Sequence, residues 1–270
     1  MIPYPDIDPV ILRLGPLTFR WYGLMYLVGF VAGFFIIKRR YLAKVPQADP
    51  KQVESLVLWS CLGLIVGARL GEVLFYHWVD YSFYLDNPLE IIAVWHGGMS
   101  FHGGLLGAIL AGVGYLLWRR MPVLPAADAA FLAVPIGLGA GRLANFINGE
   151  LYGRVTDLPW GMIFPGAGPL PRHPSQLYEL LLEGPLLFLL LWLARERLKP
   201  GRLTALFLIL YGLFRFLVEF VREPDAQLGF VLSWLTMGQI LSLAQLGAGV
   251  LLWLWVSGAG QVPSPGGKEP

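Results

Sequence analysis

The run Ala129-Ala130-Phe131-Leu132-Ala133-Val134-Pro135-Ile136-Gly137-Leu138-Gly139-Ala140 passes without a break into Gly141-Arg142-Leu143-Ala144-Asn145-Phe146-Ile147-Asn148-Gly149-Glu150. The first half reads as a membrane-crossing helix. The second half places an arginine, two asparagines and a glutamate where lipid-facing residues belong. An ionisable side chain near the bilayer centre costs roughly 2.5–3.5 kcal/mol on insertion scales, so such residues face an interior cavity and have a task. Arg142 and Asn145 share a helical face, and Asn148 repeats the same step. A guanidinium beside two amides at the membrane edge suits an anionic headgroup such as a phosphate. Hydrogen bonding between membrane helices is the plainer use of the same residues.

The rest of the chain agrees with a membrane setting. Its 270 residues are 56% hydrophobic and 14% charged, whereas an ordinary soluble domain is about 25% charged. Runs such as residues 186–194 are apolar on every face, unlike the alternating pattern of a membrane β-barrel. The fold class expected is therefore all-α, a polytopic membrane protein with seven transmembrane helices and a small extramembrane head. A net charge of +2, dispersed along the chain, gives no basis for nucleic-acid binding. Cys61 is the only cysteine, which excludes an internal disulfide, and its apolar setting suits a small buried thiol.

Spans are expected at about 17–37, 53–76, 98–118, 128–147, 176–194, 203–221 and 232–256, each long enough at about 1.5 Å per residue to cross the hydrocarbon core. Residues 1–16, rich in proline, read as an interfacial segment. No basic region precedes the first apolar run, so the first span is expected to target the chain. Residues 148–175 form a small extracytoplasmic head inserted in a single transmembrane domain, and the tail 258–270 is expected to be disordered and cytoplasmic. Lys38, Arg39, Arg40, Lys44, Lys51, Arg119, Arg120, Arg195, Arg197, Lys199, Arg202 and Lys268 gather on one side of the membrane. The other side holds only Arg13, Arg20, Arg154, Arg172 and Arg222. The positive-inside rule then puts the N-terminus and the head outside and the C-terminus in the cytoplasm.

Arg69, Arg142 and Arg215 remain, all within or at the edge of spans. Arg69 and Glu72 form either an intrahelical ion pair or a second headgroup contact. Arg215 and Glu219 lie four apart, with Tyr211 one turn before, and together with Arg142 they can clamp one phosphate. A locally neutralised Arg–Glu pair is the structural alternative. His102, between Gly97-Gly98 and Gly103-Gly104, is either a general base or a buried histidine held by a carbonyl. His173-Pro174-Ser175 fits a capped helix start with Ser175 near the N-cap. Tyr22 and Tyr26 share a face of the first span, where interfacial anchoring accounts for them. His77, His96, His102 and His173 show no metal-ligand spacing. Every aspartate falls in a loop or at a span end, which excludes an intramembrane aspartyl protease. Ser100 and His102, two apart, point away from each other on a helix.

At these residues the chain resembles the prolipoprotein diacylglyceryl transferases of bacterial inner membranes. The family signature Gly-Arg-x-Gly/Ala-Asn-Phe-x-Asn-x-Glu-x-x-Gly fits Gly141 through Gly153 at every fixed position. Trp21-Tyr22-Gly23-Leu24, Ser100-Phe101-His102-Gly103-Gly104, His173 through Glu179, and Tyr211-Gly212-x-Phe214-Arg215 with Glu219 also match, in the family's order. Departures are Arg20, where some members have histidine, and the short head between Gly153 and His173. The resemblance implies transfer of diacylglycerol from phosphatidylglycerol to the lipobox cysteine thiol of a preprolipoprotein signal peptide. Glycerol phosphate leaves and no cofactor is required. It also implies catalytic roles for His102, Arg142, Arg215 and Tyr22. Substrate contacts are expected from Arg142, Asn145, Asn148, Glu150, Gly153, Tyr211, Tyr26 and Glu219. The other class in play is a non-catalytic protein that binds or translocates phosphatidylglycerol with the same clamp.

Overall fold

Residues 10–20 alternate in a way that their flanking prolines disguise, and they pair as a hairpin. Strand β1 (Val10–Leu14) runs antiparallel to β2 (Leu17–Arg20), with Leu12 opposite Phe19 and Leu14 opposite Leu17. Gly15, at φ 59°, takes the left-handed conformation beside β1. The chain is thus mostly helical but not all-α. A computed structural model of the chain describes residues 2–5, 7–15, 17–76, 81–94, 97–223, 231 and 234–258. His77, His96 and the expected tail beyond Gly258 lie outside the described residues.

The helices are α1 (Trp21–Lys44), α2 (Pro50–Gly71), α3 (Tyr81–Asp86), α4 (Phe101–Trp118), α5 (Val123–Ile147), α6 (Ser175–Leu181), α7 (Leu187–Ala194), α8 (Arg202–Val218) and α9 (Met237–Gly258). A π-helical turn extends α2 through Tyr76, and a second joins α6 to α7. Six stretches are long and apolar enough to cross a membrane among the described residues: Trp21–Lys44, Pro50–Phe75, Phe101–Trp118, Val123–Ile147, Ser175–Ala194 and Met237–Gly258. The remaining expected span is α8, whose 17 residues reach only about 26 Å against a core of about 30 Å. None of the apolar window of α1 is buried, and in α5, the most buried, the share is 33%. So much uncovered apolar surface marks a multi-pass membrane protein.

Two starts differ from expectation because polar side chains cap them. Helix α4 begins at Phe101, not 98, because the Ser100 hydroxyl accepts from Gly103 N at 3.2 Å. Helix α9 begins at Met237, not 232. Thr236 and Gln239 form a reciprocal box: Gln239 N donates to Thr236 Oγ1 at 3.2 Å, and Thr236 N to Gln239 Oε1 at 3.1 Å.

The chain divides into two compact units, residues 38–126 and a second made of 1–37 with 127–270. In the first, α2 and α4 meet backbone to backbone. A Cβ on Gly71 would lie 2.8 Å from Gly103 Cα, and one on Gly107 2.9 Å from Gly67 Cα. Small residues at every fourth position allow that approach, with dispersion and Cα–H contacts as its reward in lipid. Asp49 caps α2, accepting from Lys51 N at 3.0 Å ahead of Pro50.

In the second unit Leu132, Leu187, Leu191, Leu203 and Phe207 form a buried core between α5, α7 and α8. Asp128 of α5 fixes the start of α8, accepting from Gly201 N at 2.7 Å, Thr204 N at 2.8 Å and Thr204 Oγ1 at 2.7 Å. Pro185 has no N–H to give the carbonyl of Leu181, and the helix widens into its π turn there. Gly184 in that turn packs on α5, where a Cβ would lie 3.0 Å from Gly139 Cα.

Candidate active site

Within the second unit the charged side chains of α5, α6 and α8 converge on one carboxylate. Glu179 is 1% exposed. Arg142 pairs with its Oε2 through Nε, while Arg215 Nη1 reaches Oε1 at 3.2 Å and Arg222 Nη1 at 3.1 Å. Arg215 Nη2 also meets Glu219 at 2.8 Å, and Thr236 Oγ1 donates to Glu219 at 2.9 Å. Glu183, one helical turn beyond Glu179, has an oxygen 3.7 Å from Arg142 Nε. The carboxylates sit behind and the guanidiniums in front: the arginine side chains keep 18%, 15% and 12% of their surface, Glu179 and Glu183 almost none. Arg142 Nε faces both Glu179 Oε2 and Glu183 Oε2.

The signature stretch supplies a second layer. Asn145, buried at the end of α5, donates to Glu150 Oε1 at 2.8 Å, and exposed Asn148 donates to the same oxygen at 3.3 Å. Two amide donors hold that carboxylate in one orientation at the surface. Gly149 and Leu151 flank it at φ 68° and 58°. For leucine this is a strained conformation. The turn is locked by Gln176 Nε2, which donates to Glu150 O at 2.7 Å, and by Ser175 Oγ, which donates to Leu151 O at 3.1 Å. Ser175 is thus the first residue of α6 rather than its cap, because its hydroxyl is taken by the signature loop. Tyr4 closes the other side, its hydroxyl donating to Phe146 O at 2.6 Å and Ile147 O at 3.0 Å.

Gly153 sits where no side chain fits. A Cβ there would collide with Val221 O and lie 2.7 Å from His173 Cβ. Gly153 bridges to Arg222, and Arg154 N donates to Val221 O at 2.9 Å, which fixes the strand-like segment that carries Arg222. His173 faces Tyr178 at 3.2 Å, and Trp160 Nε1 donates to the same hydroxyl at 2.7 Å. Partial burial holds the His173 imidazole below its usual range.

The remaining expected residues fall as follows. Tyr22 and Tyr26 place their hydroxyls 3.3 Å apart on α1, and Tyr22 lies within electrostatic reach of Arg142 and Glu150. Tyr211 stacks on Phe207 at 5.6 Å and feels Arg142 and Arg215. The structure therefore brings Tyr22, Arg142, Glu150, Tyr211, Arg215 and Glu219 into one neighbourhood. His102 belongs to the 38–126 unit, exposed near the start of α4 with its ring 5.6 Å from Phe101. In that unit Arg69 has a use that neither expected alternative covers. Its guanidinium donates to Ile91 O at 3.1 Å, Gly97 O at 2.7 Å and Gly98 O at 3.0 Å, and also to Glu90 O. It staples the loop ahead of α4.

Sequence reasoning missed Glu179 and Glu183 as members of the site and counted Arg222 only as a loop charge. The signal was present: two acids four apart at the start of an apolar span obey the same rule that picked out Arg142.

A family model described as prolipoprotein diacylglyceryl transferase matches residues 9–255. A relative from Geobacter sulfurreducens is 53% identical over 255 residues, covering 94% of this chain and 97% of its own. One from Nitratidesulfovibrio vulgaris is 51% identical over 260 residues, 95% of each chain, and one from Aliivibrio salmonicida 52% over 255 residues, 93% of this chain and 88% of its own. All three carry the name phosphatidylglycerol–prolipoprotein diacylglyceryl transferase. With the signature stretch at the centre of the arginine cluster and similarity running nearly end to end, this chain belongs to the prolipoprotein diacylglyceryl transferase family.

Proposed function

We propose that the protein transfers the diacylglyceryl group of phosphatidylglycerol to prolipoproteins, the donor and acceptor in the names of its relatives, and that the acceptor atom is the thiol of the lipobox cysteine. The observation that carries the site assignment is the convergence of Arg142, Arg215 and Arg222 on Glu179, with guanidinium surface left open beside it. In the reaction the thiol sulfur attacks the terminal glycerol carbon of the diacylglycerol. An S–C bond forms, the C–O bond to phosphorus breaks, and the departing phosphate takes the electron pair. Arg142 and Arg215 stabilise the charge that grows on that phosphate in a water-poor setting. A free thiol is only a few per cent thiolate at neutral pH, and His102 serves as the base that accepts its proton. Tyr22 and Tyr26 lie beside the reacting lipid, and Asn145, Asn148 and Glu150 orient its polar head. Gly153, Tyr211 and Glu219 shape the arginine side.

The same reading sets the protein in the bacterial inner membrane. Helix α8 is the sixth of seven crossings, residues 148–175 form a periplasmic head, the N-terminus is periplasmic and the C-terminus cytoplasmic. The distribution of lysine and arginine supports this. The test incubates purified protein with phosphatidylglycerol and a lipobox peptide and weighs the peptide. A gain of one diacylglyceryl group is expected. An unmodified peptide, with labelled phosphatidylglycerol moved between leaflets instead, overturns the assignment in favour of lipid translocation.

A further inference from the structure

Helices α8 and α9 touch backbone to backbone at Gly249, where a Cβ would lie 2.9 Å from Ile209 N. From that contact toward the start of α8 and the end of α9 they leave a groove of about 230 Å³. Its walls are Leu206, Ile209, Val250, Trp253 and Leu254, with no charged side chain among them. One end of the groove is charged. Arg202, in the first turn of α8 and one turn before Leu206, lays its guanidinium 5.3 Å from the centre of the Trp253 ring. Its Nη2 donates to Ser257 Oγ at 3.0 Å, and that hydroxyl donates to Trp253 O at 2.7 Å. Helix α9 thus holds one face and one edge of the guanidinium. Arg202 Nε is enclosed and finds no acceptor among the described residues, the condition in which a bound anion or water completes a site.

The acids at this end are engaged elsewhere. Asp128 accepts from Gly201 N, Thr204 N and Thr204 Oγ1, and Glu196 pairs with Arg195 at 3.3 Å. The segment 195–202 sets Arg195, Arg197, Lys199 and Arg202 against Glu196 alone. An apolar slot between two membrane helices that ends at a fixed guanidinium fits an amphiphile with an acidic headgroup. We infer that this groove holds an anionic phospholipid whose phosphate pairs with Arg202 and whose acyl chain packs against Trp253 and Leu254. It is a second lipid, since Arg202 and Arg215 stand thirteen residues apart on α8, about 20 Å along the helix. Bridging α8 and α9, this lipid braces the helix that carries Tyr211 and Arg215. A zwitterionic lipid fills the same slot but brings its own cation toward Arg202, so charge is what selects.

The full chain, purified in mild detergent and stripped of lipid, is titrated with phosphatidylserine and separately with phosphatidylcholine, and native mass spectrometry counts the lipids bound. The wild type is expected to keep one phosphatidylserine that Arg202→Gln holds about tenfold more weakly, the scale of one hydrogen-bonded charge. The two proteins should bind phosphatidylcholine alike. Val250→Trp fills the groove and leaves Arg202 in place; it should lose the same lipid, and it serves where Arg202→Gln does not accumulate. The difference should persist in an Arg142→Ala background, and its disappearance there would assign the lipid to the arginine cluster instead. An equal loss in Arg195→Gln would reduce the effect to diffuse surface charge and overturn the site. So would equal phosphatidylserine counts in the wild type, Arg202→Gln and Val250→Trp. A wild-type dimer that Val250→Trp abolishes would give the groove to a second copy of the chain and overturn it too.

Discussion

Arg215 reaches Glu179 at 3.2 Å across 36 residues of sequence, and through that carboxylate it is joined to Arg142 and Arg222. The arginines are not neutralised one by one. They share a buried anchor, which holds three like charges at one place. Replacing Glu179 by Gln keeps the shape and removes the anchor charge. The three guanidiniums then repel one another in a poorly solvated site. The expected result is a loss of roughly 3–5 kcal/mol of stability, the cost of breaking a buried pair by removing one partner. Thermal unfolding in detergent measures it, and the transfer assay should fall with it.

Gly153 tests the packing that positions Arg222. Gly153→Ala forces a methyl against Val221 O and His173 Cβ, an overpacking that costs about 1–3 kcal/mol. Turnover is expected to fall more than stability does, because the displaced segment carries Arg222. Unchanged kcat alongside a lowered Tm would show that the segment has no part in the site.

His102 is assigned as base by its chemistry and by the family resemblance, and its variant separates proton removal from phosphate activation. His102→Gln should lower kcat by about 10²–10⁴ with little change in KM for phosphatidylglycerol. Near-normal turnover in His102→Gln would remove base catalysis from the account and leave the arginines standing.

His173 gives a pH dependence of known sign. Burial lowers its folded-state pKa below the ordinary 6.5. The unfolded chain therefore binds the proton more readily, and stability falls as pH drops through and below about 6.5. The His173→Gln variant should lose less stability between neutral and mildly acidic pH than the wild type. Parallel melting curves against pH check this, and an equal loss in both contradicts it.

What was legible in the sequence, and what was not, follows from how each feature announces itself. Arg142, Arg215 and the asparagines stood out because charge and amide in an apolar run have few uses in lipid. The acids behind them give no such hint, because a carboxylate repels an anionic headgroup rather than suggesting one. Only as charges in an apolar run were Glu179 and Glu183 visible by the same rule. The hairpin was hidden by prolines around a short alternation, Leu12-Arg13-Leu14 and Leu17-Thr18-Phe19. The start of α9 was misplaced because apolar Val231, Leu232 and Leu235 extend the hydrophobic run, while the Thr236–Gln239 box stops the helix. The π turn at Pro185 and the strain at Leu151 depend on tertiary contacts, from Gly139 and from Ser175 and Gln176, that no local pattern encodes.

The central claim is that Arg142 acts on the departing phosphate, and the most direct measurement is kcat/KM for phosphatidylglycerol in the lipobox-peptide assay with Arg142→Lys and Arg142→Ala. Lysine keeps the charge but not the planar fork of donors that can pair with Glu179 and a phosphate at once. The account predicts a loss of roughly 10²–10³ for alanine, the scale of one preorganised donor, and only partial recovery with lysine. Transfer by Arg142→Ala at the wild-type rate would contradict it.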